Sequence, residues 1–259
     1  MKTLIRAAVS RIPGLRFWVA RAQFLGPRRH THRFWGVFPT YAAARRHVPV
    51  KYNHGFAAPN LDDFEEVIPE RDQEAIRILA GLVPEAKHLF DLGGNVGTCF
   101  YAYRKDMAYP HDFRWTVCDL PPVNAKGRAL AQKRNETQLA FTEDRSAAEG
   151  AGIYLANGSL QYLEEPLGDI LAKLKTKPPH VIVNRVTLTE DRSFFTLQNL
   201  GYAVMPYHIE NLKAFADGVT TLGYRLADHW GYEQACEVLL RPDLRPPQVH
   251  GFYFVRNAS

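Results

Sequence analysis

His88-Leu-Phe-Asp-Leu-Gly-Gly-Asn-Val-Gly-Thr98 is the stretch on which the reading of the chain turns. Leu89, Phe90 and Leu92 form a short apolar run, the mark of a buried strand. Asp91 lies within it, Gly93, Gly94 and Gly97 follow, and Thr98–Tyr103 can continue as a helix. Strand, glycine turn and helix together let backbone N–H groups and a helix N-terminus come close to a nucleotide. The glycines run G-G-x-x-G, which is not the G-x-G-x-x-G of the dinucleotide fingerprint. An acid beside such a turn suits a cationic or hydroxyl-rich ligand better than a pyrophosphate. The competing reading is an ordinary glycine turn in an α/β protein.

Outward from this turn, Phe113-Arg-Trp-Thr-Val-Cys-Asp119 reads as a second strand ending in an acid, 28 residues after Asp91. An acid at the end of the second strand of a nucleotide-binding sheet commonly takes ribose hydroxyls. S-adenosylmethionine (SAM), with its sulfonium, ammonium and ribose, satisfies both features. Leu120-Pro-Pro-Val123 turns the chain into a helix near Asn124–Gln132, and Leu139–Thr142 is a third strand, with Glu143 or Asp144 placed for an adenine edge. Gly152–Ala156 is a fourth strand, followed by Asn157-Gly-Ser-Leu-Gln-Tyr162. A helix over Leu167–Leu174, a fifth strand over His180–Asn184, a helix over Ile209–Leu222 and closing strands at Tyr224–Trp230 and Gly251–Val255 complete the pattern. The alternation predicts an α/β, doubly wound, mostly parallel sheet of seven strands with one antiparallel strand near its edge.

The chain has 259 residues, a net charge of +5 and a pI near 9.1. Lys2, Arg6, Arg11, Arg16, Arg21, Arg28, Arg29 and Arg33 stand in the first 33 residues without one acid. Removing those eight charges from +5 leaves the remainder at −3, so the basicity belongs to the N-terminal arm. Residues 1–12 form a helical arc that Pro13-Gly14 is expected to end. Leu15, Phe17, Trp18, Val19, Phe24 and Leu25 follow among arginines. Such an arm can pack on the domain or a second subunit, lie on an anionic membrane surface, or contact nucleic-acid phosphates. The aromatic His32–Tyr41 stretch, leading into Ala42–Arg46 and then Tyr52-Asn-His-Gly-Phe56, reads as a short helical lid across the cofactor mouth, with filling of a subsidiary core as the alternative. A helix over Asp63–Gly81 precedes the first strand. The expected division is an extension and lid over 1–60 and a binding domain over 61–259. Cys99, Cys118 and Cys236 are odd in number and form no metal-ligand pattern, which suits a reduced cytoplasm without metal. No apolar run reaches membrane-spanning length, and Arg6 and Arg11 interrupt any signal-peptide core.

Asp91-Leu-Gly-Gly-Asn-Val-Gly97 resembles the SAM-binding turn of class I (Rossmann-like) methyltransferases, and Asp119-Leu-Pro-Pro-Val123 is similar to the Asp-Leu-Pro-x-Val stretch of small-molecule O-methyltransferases. Trp35-Gly-x-x-x-x-Tyr41 and Gly158-Ser-Leu-Gln-Tyr162 resemble a bacterial methyltransferase family associated with surface-polysaccharide synthesis. The general resemblance covers residues 62–259 and the narrower one begins near residue 33. It implies that Gly93, Gly94, Asn95 and Gly97 run along the methionine and ribose parts of SAM. Asp91 then faces the amino group through water, and Asp119, beside Leu120, holds the ribose, with Glu143 and Asn157 completing the cofactor set. Plant-type O-methyltransferases carry a general-base histidine where this chain has Gln161, which cannot remove a proton.

A hydroxyl acceptor must still lose a proton, and histidine suits neutral pH. His208, expected to overhang the carboxyl ends of the sheet after the fifth strand, is the leading candidate, with Tyr162 and Gln161 beside it. His180 belongs at the far end of its strand and His229 on an edge strand. Tyr162, Asn184, Arg185, Gln198 and Asn199 are candidates for orienting a hydroxylated acceptor. The expected function is O-methylation of a small-molecule or glycan hydroxyl by direct displacement. The rivals are RNA methylation and a SAM-binding interaction protein without catalysis. Against RNA, no Asn-Pro-Pro-Tyr-like motif occurs and the excess charge is confined to one segment.

Overall fold

A computed structural model describes residues 13–26, 30–53, 55, 70–232, 236–244 and 247–257. The helix expected over 1–12 and the first part of that expected over 63–81 lie outside them. The strands are β1 (His30–Phe38), β2 (His88–Leu92), β3 (Arg114–Cys118), β4 (Leu139–Thr142), β5 (Ile153–Asn157) and β6 (His180–Thr189). They continue as β7 (Phe194–Asn199), β8 (Val204–Asn211), β9 (Tyr224–Tyr232), β10 (Glu237–Leu239) and β11 (Gln248–Arg256). The α-helices are α1 (Pro13–Phe24), α2 (Tyr41–Arg45), α3 (Gln73–Leu82), α4 (Thr98–Tyr103), α5 (Pro121–Lys133), α6 (Leu167–Ala172) and α7 (Leu212–Thr220).

β4, β3, β2, β5 and β6 pair in that order, all parallel. β11 runs antiparallel on β6, and β9 antiparallel on β11. Alternate residues of the central strands feed two cores, as the two-residue strand period requires. Phe90, Tyr154, Val181 and Val183 join α6 and α7 on one face, while Leu89, Trp115, Val117, Leu155 and Ile182 join α3 and α4 on the other. Burial on both faces is why these strands read as apolar runs.

The mostly parallel sheet has 11 strands, not seven. The additions are β8, β7, β1 and β10. β8 pairs parallel with the far end of β6 through Leu188–Glu210 and Thr189–Asn211. β7 and β1 follow antiparallel, and β10 lies parallel on β1. β6 therefore runs five residues past Asn184, carrying a second lobe beyond the carboxyl ends of its parallel neighbours. A bulge marks the passage. Between the pairs Val183–Phe252 and Val186–His250, Asn184 and Arg185 oppose Gly251 alone, and Arg185 takes a left-handed φ of 57°.

The same lobe corrects the expectation of a helical lid. His30–Phe38 is a strand because its neighbouring aromatics serve opposite faces. Trp35 packs with Phe24, Ala44, Phe195 and Val204, and Phe34 with Phe194, Tyr207, Ile209 and Val238. Helix follows at Tyr41–Arg45, within the expected stretch, where the Thr40 hydroxyl accepts from the Ala43 N–H at 3.1 Å, and a 3-10 turn at Val50–Tyr52. β1 belongs to the same sheet as the strands of residues 88–256. Pro13-Gly14 stands in the first turn of α1, as proline's fixed φ allows. Phe24 stacks on Trp35, while Phe17 and Trp18 remain exposed. The helix expected from Ile209 begins at Leu212, because Val204–Asn211 continues as strand until the Asn211 side chain caps α7. All three cysteines are reduced and buried.

α6 and α7 cross so closely that a Cβ on Gly168 would meet the Gly218 carbonyl oxygen at 2.6 Å. Backbone cannot swing aside as a side chain does. Gly168→Ala is expected to lower the unfolding free energy in urea by about 1–3 kcal/mol. Gly81→Ala, on the open side of α3, should leave it unchanged or raise it by up to about 1 kcal/mol. Equal stability of the two variants would contradict this crossing.

Candidate functional site

The turn between β2 and α4 is held from below and from the side. Gly93 has φ 71°, and a Cβ there would lie 2.4 Å from that of Ser159, whose hydroxyl donates to the Leu92 carbonyl at 2.5 Å. Gly94 sits so tightly on Asp91 that a Cβ would come within 2.3 Å of Oδ2. The glycines thus seat the loop between the carboxyl ends of β2 and β5. Asn95 takes a left-handed φ of 56°, and Gly97, also left-handed, precedes α4.

Asp91 is fully buried beneath this loop. Trp115 donates its indole N–H to Oδ2 at 3.0 Å, and Oδ1 has no partner among the described residues. Burial raises its pKa to about 7, opposed by the Trp115 hydrogen bond and reinforced by Asp119. Asp119 stands on the open side. Its Oδ2 accepts from the Asn95 N–H at 2.9 Å and its Oδ1 from the Leu120 N–H at 2.7 Å. Each oxygen retains a lone pair, and burial raises the pKa against those two bonds. Leu120, 46% exposed beside it, offers an apolar surface at the mouth. Glu143 is exposed, and its Oε1 accepts from Asn124 at 2.9 Å and Arg128 at 3.1 Å, so its pKa is lowered.

Asn157, at the end of β5, lies in a buried polar cluster around Asp72, a residue the sequence did not single out. Its Nδ2 donates to the Tyr103 hydroxyl at 2.7 Å, to Cys99 Sγ at 3.2 Å and to Asp72 at 3.4 Å. Its Oδ1 accepts from Arg185 Nε at 2.7 Å. Asp72 also accepts from Tyr103 at 3.1 Å and Asn184 at 2.9 Å, and pairs with Arg185 at 3.4 Å. Asn184 Oδ1 accepts from Tyr232 at 2.8 Å and Trp230 at 3.1 Å. Asp72 falls within the helix expected over 63–81. It lies instead in a 3-10 turn, Glu70–Asp72, leading into α3.

The proton-transfer candidates lie together on the other side of the Gly158–Ser159 turn. Gln161, His208 and Glu210 line a cavity of about 10 Å³, room for about one water molecule. Gln161 donates to the Gly158 carbonyl at 2.9 Å, and its buried Oε1 has no partner among the described residues. His208 is on β8, stacked 4.3 Å from Phe195, and burial lowers its pKa to about 4. Burial, with Asp169 nearby, raises Glu210 to about 7. Tyr162 donates to Gln198 at 2.7 Å, and burial raises its pKa. The Asn199 amide donates to the Phe24 carbonyl, which binds α1 to the second lobe. His180 hydrogen-bonds Tyr253 at 2.9 Å, and His229 hydrogen-bonds His250 at 3.1 Å. Among the described residues no group of acids, cysteines and histidines could hold a metal ion.

The same α/β fold is found in solved structures of a SAM-dependent methyltransferase and of a cyclase. A SAM-dependent methyltransferase from Methanosarcina mazei superposes with a TM-score of 0.52 at 11% identity, over 70% of this chain and 98% of that one. The N-terminal domain of EvdMO1, crystallised in the presence of S-adenosylhomocysteine and D-fucose, matches at 0.51 and 10%, over 74% of this chain and 85% of that one. The [4+2]-cyclase SpnF matches at 0.51 and 12%, over 72% and 82%. No family model matches the sequence, and no curated protein does. Identities this low establish the fold and nothing finer.

Asp91 supplies a pH signature. Its native pKa is raised above the unfolded value of 3.8, so between pH 4 and 7 the folded state binds more protons. Its contribution is fully present below pH 4 and is lost as pH rises through 7. Asp91→Asn, nearly isosteric, should remove a fall of up to about 4 kcal/mol from the urea stability profile over that range. A profile as steep as the wild type's would show that Asp91 is ionised in the fold.

Proposed function

We propose that the chain is a SAM-dependent methyltransferase that methylates a hydroxyl oxygen of a small-molecule or glycan acceptor. The observation that carries this reading is Asp119, held by the Asn95 and Leu120 amides at the lip of a glycine turn, on the fold shared with SAM-dependent methyltransferases. The residues fit the cofactor. Asp119 has lone pairs for two ribose hydroxyls, Leu120 an apolar face for adenine, and the loop of Gly93, Gly94, Asn95 and Gly97 a course for the amino-acid portion. Asp91 supports that loop from beneath and acts on a nearby ammonium only through the loop or a water. When bound, SAM supplies an electrophilic methyl group for in-line displacement. The chain positions the acceptor, excludes water and receives the acceptor's proton. The cavity lined by Gln161, His208 and Glu210 is the proposed proton route. A base works best with a pKa near the working pH. Glu210 meets that condition better than His208, which stays neutral and shapes the cavity.

SpnF favours a second reading, because a cyclase with this fold shows that the fold alone does not impose methyl transfer. Label from methyl-tritiated SAM appearing in a hydroxylated acceptor supports the transferase. SAM binding without transfer to any acceptor supports the second reading. The exposed Phe17 and Trp18 on an arginine-bearing α1 also support a proposed contact of the arm with an anionic membrane surface.

Asp119→Ala should raise the calorimetric dissociation constant for SAM roughly 10- to 100-fold, the range for hydrogen bonds to a charged group. Unchanged affinity would remove the cofactor assignment. Given transfer activity, turnover should rise with pH through about 7, as Glu210 loses its proton. Glu210→Gln should abolish that rise, whereas His208→Ala should lower turnover without moving its midpoint. If neither variant changes the profile, the proton leaves by another route.

A further inference from the structure

Arg185 is the one non-glycine residue of β6 in the left-handed region, on a bulge beyond the carboxyl end of β5. Such backbone costs energy and persists where the surroundings over-determine it. Here they do. Arg185 Nε donates to Asn157 at 2.7 Å and lies 3.4 Å from Asp72, so one edge of the guanidinium is spent on the buried cluster. Its terminal nitrogens make no hydrogen bond with any described residue. The group lies against Gly158, where a Cβ would meet Nε, Nη2 and Cζ at 3.5–3.7 Å. Gly158 adjoins Ser159, the residue that abuts Gly93 of the cofactor turn. Arg71 stands beside it. The Arg71 carbonyl accepts from Asn184 at 3.3 Å, the neighbour of Arg185 in the bulge. Burial and then the neighbouring Arg185 lower the Arg71 pKa, while Asp72 and Tyr232 raise it. The Arg71 guanidinium forms no hydrogen bond or ion pair with any described residue.

Two arginines on adjoining segments, joined by the Asn184–Arg71 and Arg185–Asp72 contacts and one of them pinned along a single guanidinium edge, suit an oxyanion that accepts from both forks. We infer that Arg71 and Arg185 hold a carboxylate or phosphate-type oxyanion beside the cofactor turn. That anion is either the carboxylate of the methionine portion of SAM or an acidic group on the acceptor. The inference deepens the methyltransferase reading and rests on it for the identity of the anion, though not for the site.

The test uses the full chain with Arg71→Gln, Arg185→Gln and Arg185→Lys. Removing Arg185 leaves buried Asp72 without its cation and can unfold the protein, so Arg71→Gln, which keeps that pair, is the decisive variant. Calorimetry is run with SAM, with decarboxylated SAM and with inorganic phosphate. An approximately tenfold or greater loss of affinity for SAM in Arg71→Gln, with decarboxylated SAM unaffected, assigns the anion to the cofactor. Unchanged SAM affinity, with phosphate bound by the wild type and not by the variant, assigns it to the acceptor. Arg185→Lys should restore charge without the fork and recover only part of either loss. Absence of phosphate binding by wild type, together with equal SAM affinity in wild type and Arg71→Gln, overturns the site. If wild type binds neither form of SAM, the methyltransferase reading falls and phosphate alone decides the anion site. Phosphate binding that Arg71→Gln abolishes then supports it, and any other phosphate result overturns it.

Discussion

Asp72 is the fixed point of the candidate site. A buried carboxylate is tolerable only where donors and a cation surround it, and Asp72 gathers them from α4, β5 and β6. Removing one partner of such a pair typically costs 3–5 kcal/mol, because the other charge stays buried. The ends of β5 and β6, the start of α3 and the inner face of α4 are therefore set relative to one another by one group. The Gly158–Ser159 turn follows from that placement, and so does the seat of the glycine loop on Ser159. The bulge at Arg185 delivers the guanidinium to Asp72 and Asn157, and beyond it β6 continues into the second lobe.

Much of this was legible in the sequence where burial is two-sided. β2, β3, β5 and the first half of β6 announce themselves as apolar runs closed by glycine, acid or asparagine. Gly93 in the turn after β2 and Asp119 at the end of β3 were placed by spacing alone. The second lobe was not legible. Phe194–Asn199 is buried throughout yet mixes phenylalanine, threonine, glutamine and asparagine, so neither alternation nor an apolar run appears. In β8, Pro206 suggests a connector, although the strand tolerates it. The Asp72 cluster was hidden for another reason. Its members lie as far apart as residues 72 and 232, and only the fold brings them together. Glu210 stood one residue inside an expected helix, and its burial follows from the strand that replaced it.

The charge pattern has a parallel history. The excess of arginine in the first 33 residues left packing on the domain or a second subunit, a membrane surface and nucleic acid open, and the described part of that arm packs on the domain through Phe24 and Trp35. Arg21 lies 5.3 Å over the Trp35 ring, and Arg33 pairs with Glu237. Two of the eight cations thus serve intramolecular contacts.

The burial of Cys99, Cys118 and Cys236 has a practical side. Desolvation holds their thiols protonated, Cys99 up at about 12 and the other two at about 11, so none is a ready nucleophile toward alkylating or maleimide reagents in the native state. The wild-type chain is thereby a silent background for site-directed labelling. A single cysteine introduced at exposed Leu120 would carry a dye at the rim of the proposed cofactor site, where its emission would report occupancy.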